Sequence, residues 1–356
     1  MTLTQTAILV KQIIFITAIF VILSIIAFIA YQTAYNYYIS RRPPPEERPN
    51  NKFGQLPALD FPQSIVSGSK FSYSLDTATG NLPRLGQDPK FPKIVKVYFI
   101  NKPVATLLSP DRGIEFAKKF NITTPPQVLS ETAYRFYQEG KTLTLELDTK
   151  NFKFANTGVT ASNQILPNDK NLSDGFRGLL SNLGVLQKDL QEGPAKITLL
   201  KEEAGKLVPT NARSEARFAN VSLWPKAIVG NLIYSPKYDV SLISALVTGS
   251  SNGIENYYSI EYTYWSIDTT ILATYAAKPL DQAFEELKSG QAAVILEPGT
   301  ANVSITNIIP GYFLPEKYTS FLQPIYIFEG PQFIAYVGAM DTSKFPSTQS
   351  SSKPSQ

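Results

Sequence analysis

The sequence predicts an α+β protein: a single N-terminal transmembrane helix followed by antiparallel sheets with a few short packed helices. Three observations support this fold class. An uncharged apolar stretch lies near the N-terminus, strand-like segments recur between about residues 71 and 339, and only three segments have helical spacing. Because a half-buried sheet needs a covering layer, few helices among many strands indicate helices packed on one side of antiparallel sheets.

The composition excludes several kinds of chemistry. The 356 residues include neither Cys nor His, so there is no disulfide, cysteine nucleophile, Ser-His-Asp triad or Cys/His zinc site. The formal net charge of +4 is too thinly spread for a phosphate-binding surface, so we expect no nucleic-acid partner. We predict a protein that is not an enzyme, with no catalytic, cofactor-binding or metal-binding residues and no cofactor.

Residues 12–31 form the predicted transmembrane anchor, after an N-terminal tail at residues 1–11. The stretch reads QIIFITAIFVILSIIAFIAY and carries no charge. A helix of this length rises about 30 Å, the thickness of the hydrocarbon layer, so the lipid bilayer is a predicted partner. We assign the anchoring itself to Ile13 to Ala30. One alternative is a cleaved signal peptide, whose apolar region usually has only about 7–15 residues. The other is a buried core helix, but a helix that is apolar on all sides at the N-terminus has little to pack against.

Observations on the side of the membrane conflict. Arg41, Arg42 and Arg48 follow the anchor and argue against an external body, since flanking positive charge favours the cytoplasm. However, long domains translocate largely regardless of flanking charge, and a chain without cysteine suits an oxidising compartment. We expect a single-pass cell-membrane protein with an extracytoplasmic body.

Residues 32–70 are predicted to form an aromatic belt and a Pro-rich stalk. Four tyrosines, at 31, 35, 37 and 38, fit a membrane–water interface. The prolines between residues 43 and 62 oppose a continued helix and favour extended chain. Residues 342–356 have almost no apolar content and are expected to be a disordered tail.

The body is predicted to contain three helices. Ser109 is expected to cap the first, which runs to about Phe120. Ser173 is expected to cap a second over residues 174–182, which Gly184 ends.

The third helix has the clearest pattern. Leu280, Ala283, Phe284 and Leu287 lie at positions i, i+3, i+4 and i+7, which places them on one apolar stripe, and Gly290 stops the helix. We predict that Leu280, Phe284 and Leu287 dock this helix on a sheet.

Strands are predicted from alternation and turn residues. Leu143, Leu145 and Leu147 share one face of a strand that follows a turn at Glu139-Gly140. Another predicted strand places four side chains on one face, those of Tyr258, Ile260, Tyr262 and Tyr264. Further strands are predicted over residues 93–100, 271–276, 303–309, 324–328 and 333–337.

Two candidate sites were weighed against ordinary surface interpretations. The run Asp169 to Gly175 resembles the start of a calcium loop, but Asp174 and Leu180 occupy positions that require Gly and Glu. A glycan hydrolase needs two acids about 5–9 Å apart across a cleft. Sequence neighbours such as Glu285-Glu286 do not provide this, and they are typical of solvated surface.

The stretch from Leu280 to Ala339 resembles the end of extracytoplasmic regulatory domains of the YycH/YycI type, which are akin to PepSY domains. The resemblance is carried by a helix with a closing glycine, a following strand with an aromatic, and two final strands. The matching residues are Ala283, Leu287, Gly290, Tyr312, Leu322, Pro324, Tyr326, Phe328, Tyr336 and Val337. It implies a non-catalytic domain that binds another membrane protein or restrains a protease or a sensor kinase.

These observations divide the body into a first α+β part at residues 71–190 and a second, YycI/PepSY-like α+β part at residues 191–341. The predicted function is that of a single-pass, membrane-anchored binding or regulatory protein whose partner is another membrane or envelope protein. Two alternatives stay open, a cell-envelope glycan-modifying enzyme with paired carboxylates and a structural scaffold for envelope assembly.

Overall fold

A computed structural model describes residues 3–40, 48–63, 68–160, 165–249 and 253–343 of the chain. Within the first helix it describes the side chains of residues 16, 17 and 19–38. Arg41, Arg42, most of the predicted proline stalk before residue 48, and the predicted tail from residue 344 lie outside the described residues. The chain forms two compact units, Met1–Pro49 and Asn50–Gln356.

The first unit is a single helix, α1 (Leu3–Ser40). Its stretch Ile19–Tyr38 could cross a membrane by length and composition, and the residues described in it are exposed. The helix continues beyond the predicted end at residue 31 and includes the tyrosines that we had placed after it, because no proline occurs before residue 43. Within this helix, Ser24 and Thr33 donate their hydroxyl protons to the backbone oxygens of Phe20 and Ile29.

The second unit contains four α-helices, two short 3-10 helices and eighteen strands among its described residues. The helices are α2 (Ser109–Lys118), α3 (Asp169–Leu183), α4 (Lys188–Glu192) and α5 (Leu280–Lys288). The strands are β1 (Ser72–Leu75), β2 (Ile94–Asn101), β3 (Gln127–Ser130), β4 (Ala133–Gln138), β5 (Lys141–Glu146), β6 (Phe152–Asn156), β7 (Ala195–Glu203), β8 (Lys206–Pro209), β9 (Phe218–Leu223), β10 (Ile233–Tyr234), β11 (Ile243–Val247), β12 (Tyr257–Tyr262), β13 (Ser266–Ala276), β14 (Ala293–Leu296), β15 (Asn302–Ile305), β16 (Asn307–Phe313), β17 (Phe321–Gly330) and β18 (Phe333–Gly338).

The larger sheet has nine antiparallel strands in the order β3-β4-β5-β6-β12-β11-β9-β7-β8. Helices α2, α3 and α4 pack their apolar residues against it in one core, which includes Phe116, Phe176 and Leu190. Leu143, Leu145 and Leu147 belong to this core, as their alternation predicted. This sheet with helices packed against it confirms the α+β class.

The second large sheet, called the smaller sheet below, has seven strands, and β1 and β15 form a separate parallel pair. Strands β10, β16, β17, β18 and β14 follow one another, and β2 joins β17 to β13. One group of its buried residues packs with Leu280, Phe284 and Leu287 of α5 and includes Phe328 and Phe333 of β17 and β18. The predicted docking role of these three α5 residues is thereby confirmed.

Part of the predicted stalk belongs to the body. Phe53 and Leu56 pack with the core residues of β2 and β13, and Leu59 and Phe61 pack with those of β16, β17 and β18. The side chain of Gln323 also donates to the backbone oxygen of Pro57 at 2.9 Å. Residues 50–63 therefore cover the smaller sheet. Burial of their apolar side chains lowers the free energy relative to an extended segment whose side chains face water.

Both predicted serine caps were wrong. Ser109 is the first residue of α2, whose N-cap is Leu108, and its hydroxyl accepts from the backbone N–H of Thr106 at 2.9 Å. Helix α3 begins at Asp169, because the side chain of Asn168 caps it by accepting from the N–H of Asn171. The candidate calcium loop is thus the first part of a helix.

The predicted face of β12 is correct only in part. Tyr257, Ile260 and Tyr262 are buried, whereas Tyr258 is exposed. A register shift causes the difference, since Leu246 of β11 pairs with Ser259 and the next residue pairs with Tyr257. This bulge skips Tyr258 and reverses the alternation at one end of the strand.

The chain passes four times between the two sheets. It leaves the smaller sheet after β2, returns for β10, leaves again for β11 and β12, and returns for β13. Strands on both sides of residues 190 and 191 belong to the nine-stranded sheet. The boundary predicted there therefore does not coincide with a boundary between sheets.

Candidate binding clefts at the junction of the sheets

The last passage between the sheets is the segment Thr263–Trp265, which joins β12 to β13. In extended chain, successive side chains point to opposite sides. Thr263 and Trp265 accordingly line one cleft, and Tyr264 lines another. We name them the Asn151 cleft and the Asp189 cleft after a polar residue in each. Their volumes of about 830 and 650 Å³ are those of ordinary ligand sites.

Trp265 forms a rigid part of the Asn151 cleft wall. It is buried, its ring nitrogen donates to the backbone oxygen of Pro315 at 3.2 Å, and Tyr318 packs edge-on against it at 5.4 Å between ring centroids. The Tyr318 hydroxyl donates to the backbone oxygen of Ile100. These bonds hold both aromatic rings in place.

An ion pair lies at the Asn151 cleft. Lys153 of β6 donates to the Glu316 carboxylate at 2.7 Å and thereby joins the larger sheet to the segment before β17. This bond holds the pKa of Glu316 below its usual range. Glu316 therefore stays ionised at neutral pH, which suits a recognition role better than that of a general acid.

Asn151 has one hydrogen-bonding group satisfied and one unsatisfied. Its side-chain oxygen accepts from the N–H of Tyr264 at 2.9 Å, and its amide nitrogen is the one buried side-chain polar atom without a partner among the described residues. The amide cannot be reversed, because the Tyr264 N–H needs an acceptor. The bond that holds the segment between the clefts therefore fixes the orientation of the Asn151 amide, and this orientation leaves its nitrogen unpaired.

The Asp189 cleft lies between α4 and the edge formed by β2 and β13. Its apolar wall comes from β2, β10, β13 and the hairpin Ile228–Asn231, and comprises Tyr98, Ile228, Val229, Ile233, Ile267 and Leu272. Val229 is 72% exposed at the tip of this hairpin and has a φ of 50°, which is unfavourable for a β-branched residue. Ligand contact with Val229 would remove apolar surface from water.

Among the described residues, the donors to Asp189 are all uncharged. The hydroxyl of Tyr264 lies 3.1 Å from each carboxylate oxygen, and the N–H of Leu190 donates to Oδ1 at 2.9 Å. Burial raises the pKa of Asp189 above its ordinary value, although the bond from Tyr264 opposes this rise. Burial likewise raises the pKa of Tyr264, so this hydroxyl keeps its proton.

Three lysines line the same cleft, yet none pairs with Asp189 within the part of the chain that the structure describes. Lys226 and Lys188 instead pair with Glu192, at 2.8 and 3.8 Å. Lys226 holds the pKa of Glu192 below its ordinary value. The cleft therefore contains two carboxylates in different settings. Glu192 pairs with two lysines, whereas Asp189 pairs with none of the lysines that line the cleft.

Sequence reasoning missed Asp189 and Glu192. They lie on α4, a helix too short to show an apolar repeat, and their setting depends on Tyr264 and Lys226 from distant segments. Glu286 was predicted to be a solvated surface acid. Its carboxylate pairs with the buried Lys278 at 2.6 Å. Within the described residues, no group of three or more acids could hold a metal ion.

No family model matches the chain, and no curated protein matches it. An uncharacterized protein from Eubacterium rectale ATCC 33656, known from a crystal structure, is similar with a TM-score of 0.40 and 10% sequence identity. The match covers 77% of this chain and 95% of that one.

Proposed function

We propose that this chain is a single-pass membrane protein whose extracytoplasmic body binds a segment of another membrane or envelope protein without catalysis. The membrane anchor is proposed from α1, whose stretch Ile19–Tyr38 is apolar and exposed in its described residues. Such a surface is stable in lipid and costly in water.

The observation that carries the binding role is the setting of Asp189. Its carboxylate is half-buried, and the donors that the described part of the chain supplies to it are uncharged, although Lys188 and Lys226 line the same cleft. A Lys or Arg side chain, or an amino terminus, would supply the missing cation. Apolar residues beside that cation would cover Ile228 and Val229. The preferred ligand is therefore a peptide segment that carries a basic group next to apolar side chains.

The regulatory part of the proposal rests on the resemblance of residues 280–339 to YycH/YycI-type domains. In that interpretation the bound segment belongs to a sensor kinase or a protease that the body restrains. The alternative as an assembly scaffold differs by stable, stoichiometric association with several membrane components.

Crosslinking in intact membranes followed by purification tests the binding role. We expect one recurring membrane or envelope protein with the unaltered chain and a much lower yield with Asp189→Asn. Glu297→Gln is the matched control, because Glu297 does not line the Asp189 cleft. The absence of any recurring partner, or equal yields from both variants, would contradict the proposal. A C-terminal reporter that is active only outside the cytoplasm tests the side of the membrane.

One observation favours a second function, a glycan hydrolase. Asp189 and Glu192 line one cleft, and their pKa values are shifted in opposite directions, as an acid and a base require. Against this, Glu192 is engaged by two lysines. Release of soluble sugars from cell-wall glycan by the purified chain, abolished by Asp189→Asn, would establish the enzyme and overturn the binding role.

A further inference from the structure

The turn before α2 presents two leucines at its tip. The N–H of Ser109 donates to the backbone oxygen of Thr106 at 2.9 Å, and the N–H of Thr106 donates to the hydroxyl of Ser109 at 2.9 Å. These two bonds close the turn at its base, with Leu107 and Leu108 between them. The serine predicted to cap α2 is used here to fix the turn.

The exposure of this turn is unusual for its composition. Leu107 is 99% exposed, Leu108 is 57% exposed, and Val104 in the same connection is 84% exposed. Turn tips favour Gly, Pro, Asn, Asp and Ser, each for a conformational reason that leucine does not share. The hydrogen bonds that close the turn are made by Thr106 and Ser109, so they do not require leucine side chains at positions 107 and 108. Three exposed apolar side chains in one short connection make it a candidate interaction surface.

Behind the tip lies an apolar groove of about 510 Å³, lined in part by Leu108, Phe116, Leu145, Leu147 and Leu183. Charged residues also line it, three basic and four acidic: Arg112, Lys119, Lys150, Asp111, Glu115, Glu146 and Asp148. Because these charges nearly cancel, net electrostatic attraction does not favour a strongly charged ligand here.

We propose that the tip, defined as Val104, Leu107 and Leu108, inserts into the lipid bilayer at the boundary between headgroups and acyl chains. The proposal rests on the membrane anchoring proposed for α1. Residues 41–49 connect α1 to the body and can span at most about 35 Å even when fully extended. The start of the body is therefore held close to any bilayer that α1 crosses, and the boundary between headgroups and acyl chains accommodates apolar side chains.

The lack of cysteine permits a direct test with the full chain. The Leu107→Cys variant is labelled with a fluorophore and reconstituted in phosphatidylcholine vesicles with brominated acyl chains, which quench fluorophores in contact with them. The matched control is Ala204→Cys, in the turn between β7 and β8, whose neighbours Glu203 and Lys206 are charged. We expect quenching at Leu107→Cys about twofold or more above the control, without anionic lipid.

Adding Val104→Ser and Leu108→Ser to the labelled Leu107→Cys variant should reduce the quenching towards the control. Flotation of the vesicles, measured in parallel, reports anchoring by α1. If the chain floats with the vesicles but both labels are quenched equally, the tip proposal is overturned while the anchor stands. If the chain stays in the aqueous fraction, the anchor fails, and the insertion of the tip fails with it.

Discussion

Asn151 and Tyr264, distant in sequence, are joined by a hydrogen bond in which the N–H of Tyr264 donates to the Asn151 side-chain oxygen at 2.9 Å. Asn151 is only 4% exposed. The bond attaches the start of β6 to the segment whose side chains line both clefts. This buried amide is therefore one of the contacts that position Tyr264, whose hydroxyl in turn donates to Asp189.

Replacement of this amide should lower stability. Asn151→Ala leaves the Tyr264 N–H without an acceptor, at an expected cost of about 1–3 kcal/mol in the free energy of unfolding. Urea unfolding in detergent can be followed by tryptophan fluorescence, since Trp224 and Trp265 both lie in the body. Asn302→Ala, at an exposed position, is the control and should change the midpoint little. Equal effects of the two variants would contradict the assigned role.

A charge on the inner face of α5 should prevent folding of the smaller sheet. Leu287 is fully buried, and an unpaired carboxylate at this position costs several kcal/mol. We expect Leu287→Asp to lose the cooperative thermal transition of the body. Leu296→Asp introduces the same group at a position that is 46% exposed and should melt close to the unaltered chain. A Leu287→Asp protein that melts at the same temperature as the unaltered chain would contradict this prediction.

The ion pair between Lys278 and Glu286 should be costly to break from one side. Lys278 Nζ and Glu286 Oε2 lie 2.6 Å apart, and the Lys278 side chain is 8% exposed. Glu286→Gln leaves a buried ammonium group without its partner, with an expected loss of about 3 kcal/mol. Replacing both residues, as Lys278→Met with Glu286→Leu, should restore most of this loss in urea unfolding. A double variant that is less stable than the single one would argue against this account.

The stability of the body should depend on pH through Asp189. Its pKa is raised in the folded state, so the folded chain binds a proton at pH values where the unfolded chain has released it. The stability that this proton contributes is therefore fully present below the pKa of Asp189 in the unfolded chain. It is lost as pH rises through the pKa of Asp189 in the folded chain. We expect Asp189→Asn to be more stable, relative to the unaltered chain, at pH 7 than at pH near 4. Denaturant midpoints at several pH values measure this difference. The opposite trend would show that burial is not the dominant influence on the pKa of Asp189.

Where a local pattern decides the structure, the sequence was sufficient. The apolar stripe of α5 gave its bounds and its buried residues, and Glu139-Gly140 gave a turn with positive φ at both residues. The Leu143, Leu145 and Leu147 alternation identified a strand face. In each of these cases the determining residues lie within a few positions of one another.

Distant partners decided the rest. Tyr258 points outward because of a bulge opposite β11, and Ser109 is engaged by Thr106 and does not cap α2. The apolar residues of 50–63 are too few to predict packing until the sheet that they cover is known. Likewise, the electrostatics of Asp189 depend on Tyr264 and on lysines already engaged by Glu192, and no spacing in the chain encodes this.

The start of the body is clamped to β13. The side-chain oxygen of Asn50 accepts from the N–H of Thr274 at 3.0 Å, and the N–H groups of Asn50 and Asn51 donate to the hydroxyl and the backbone oxygen of Thr274. A mechanical pull along the connection to α1 would reach these three bonds before any other part of the fold. Under such a pull, the attachment of residues 50–63 to the smaller sheet would be loaded before the strands of that sheet.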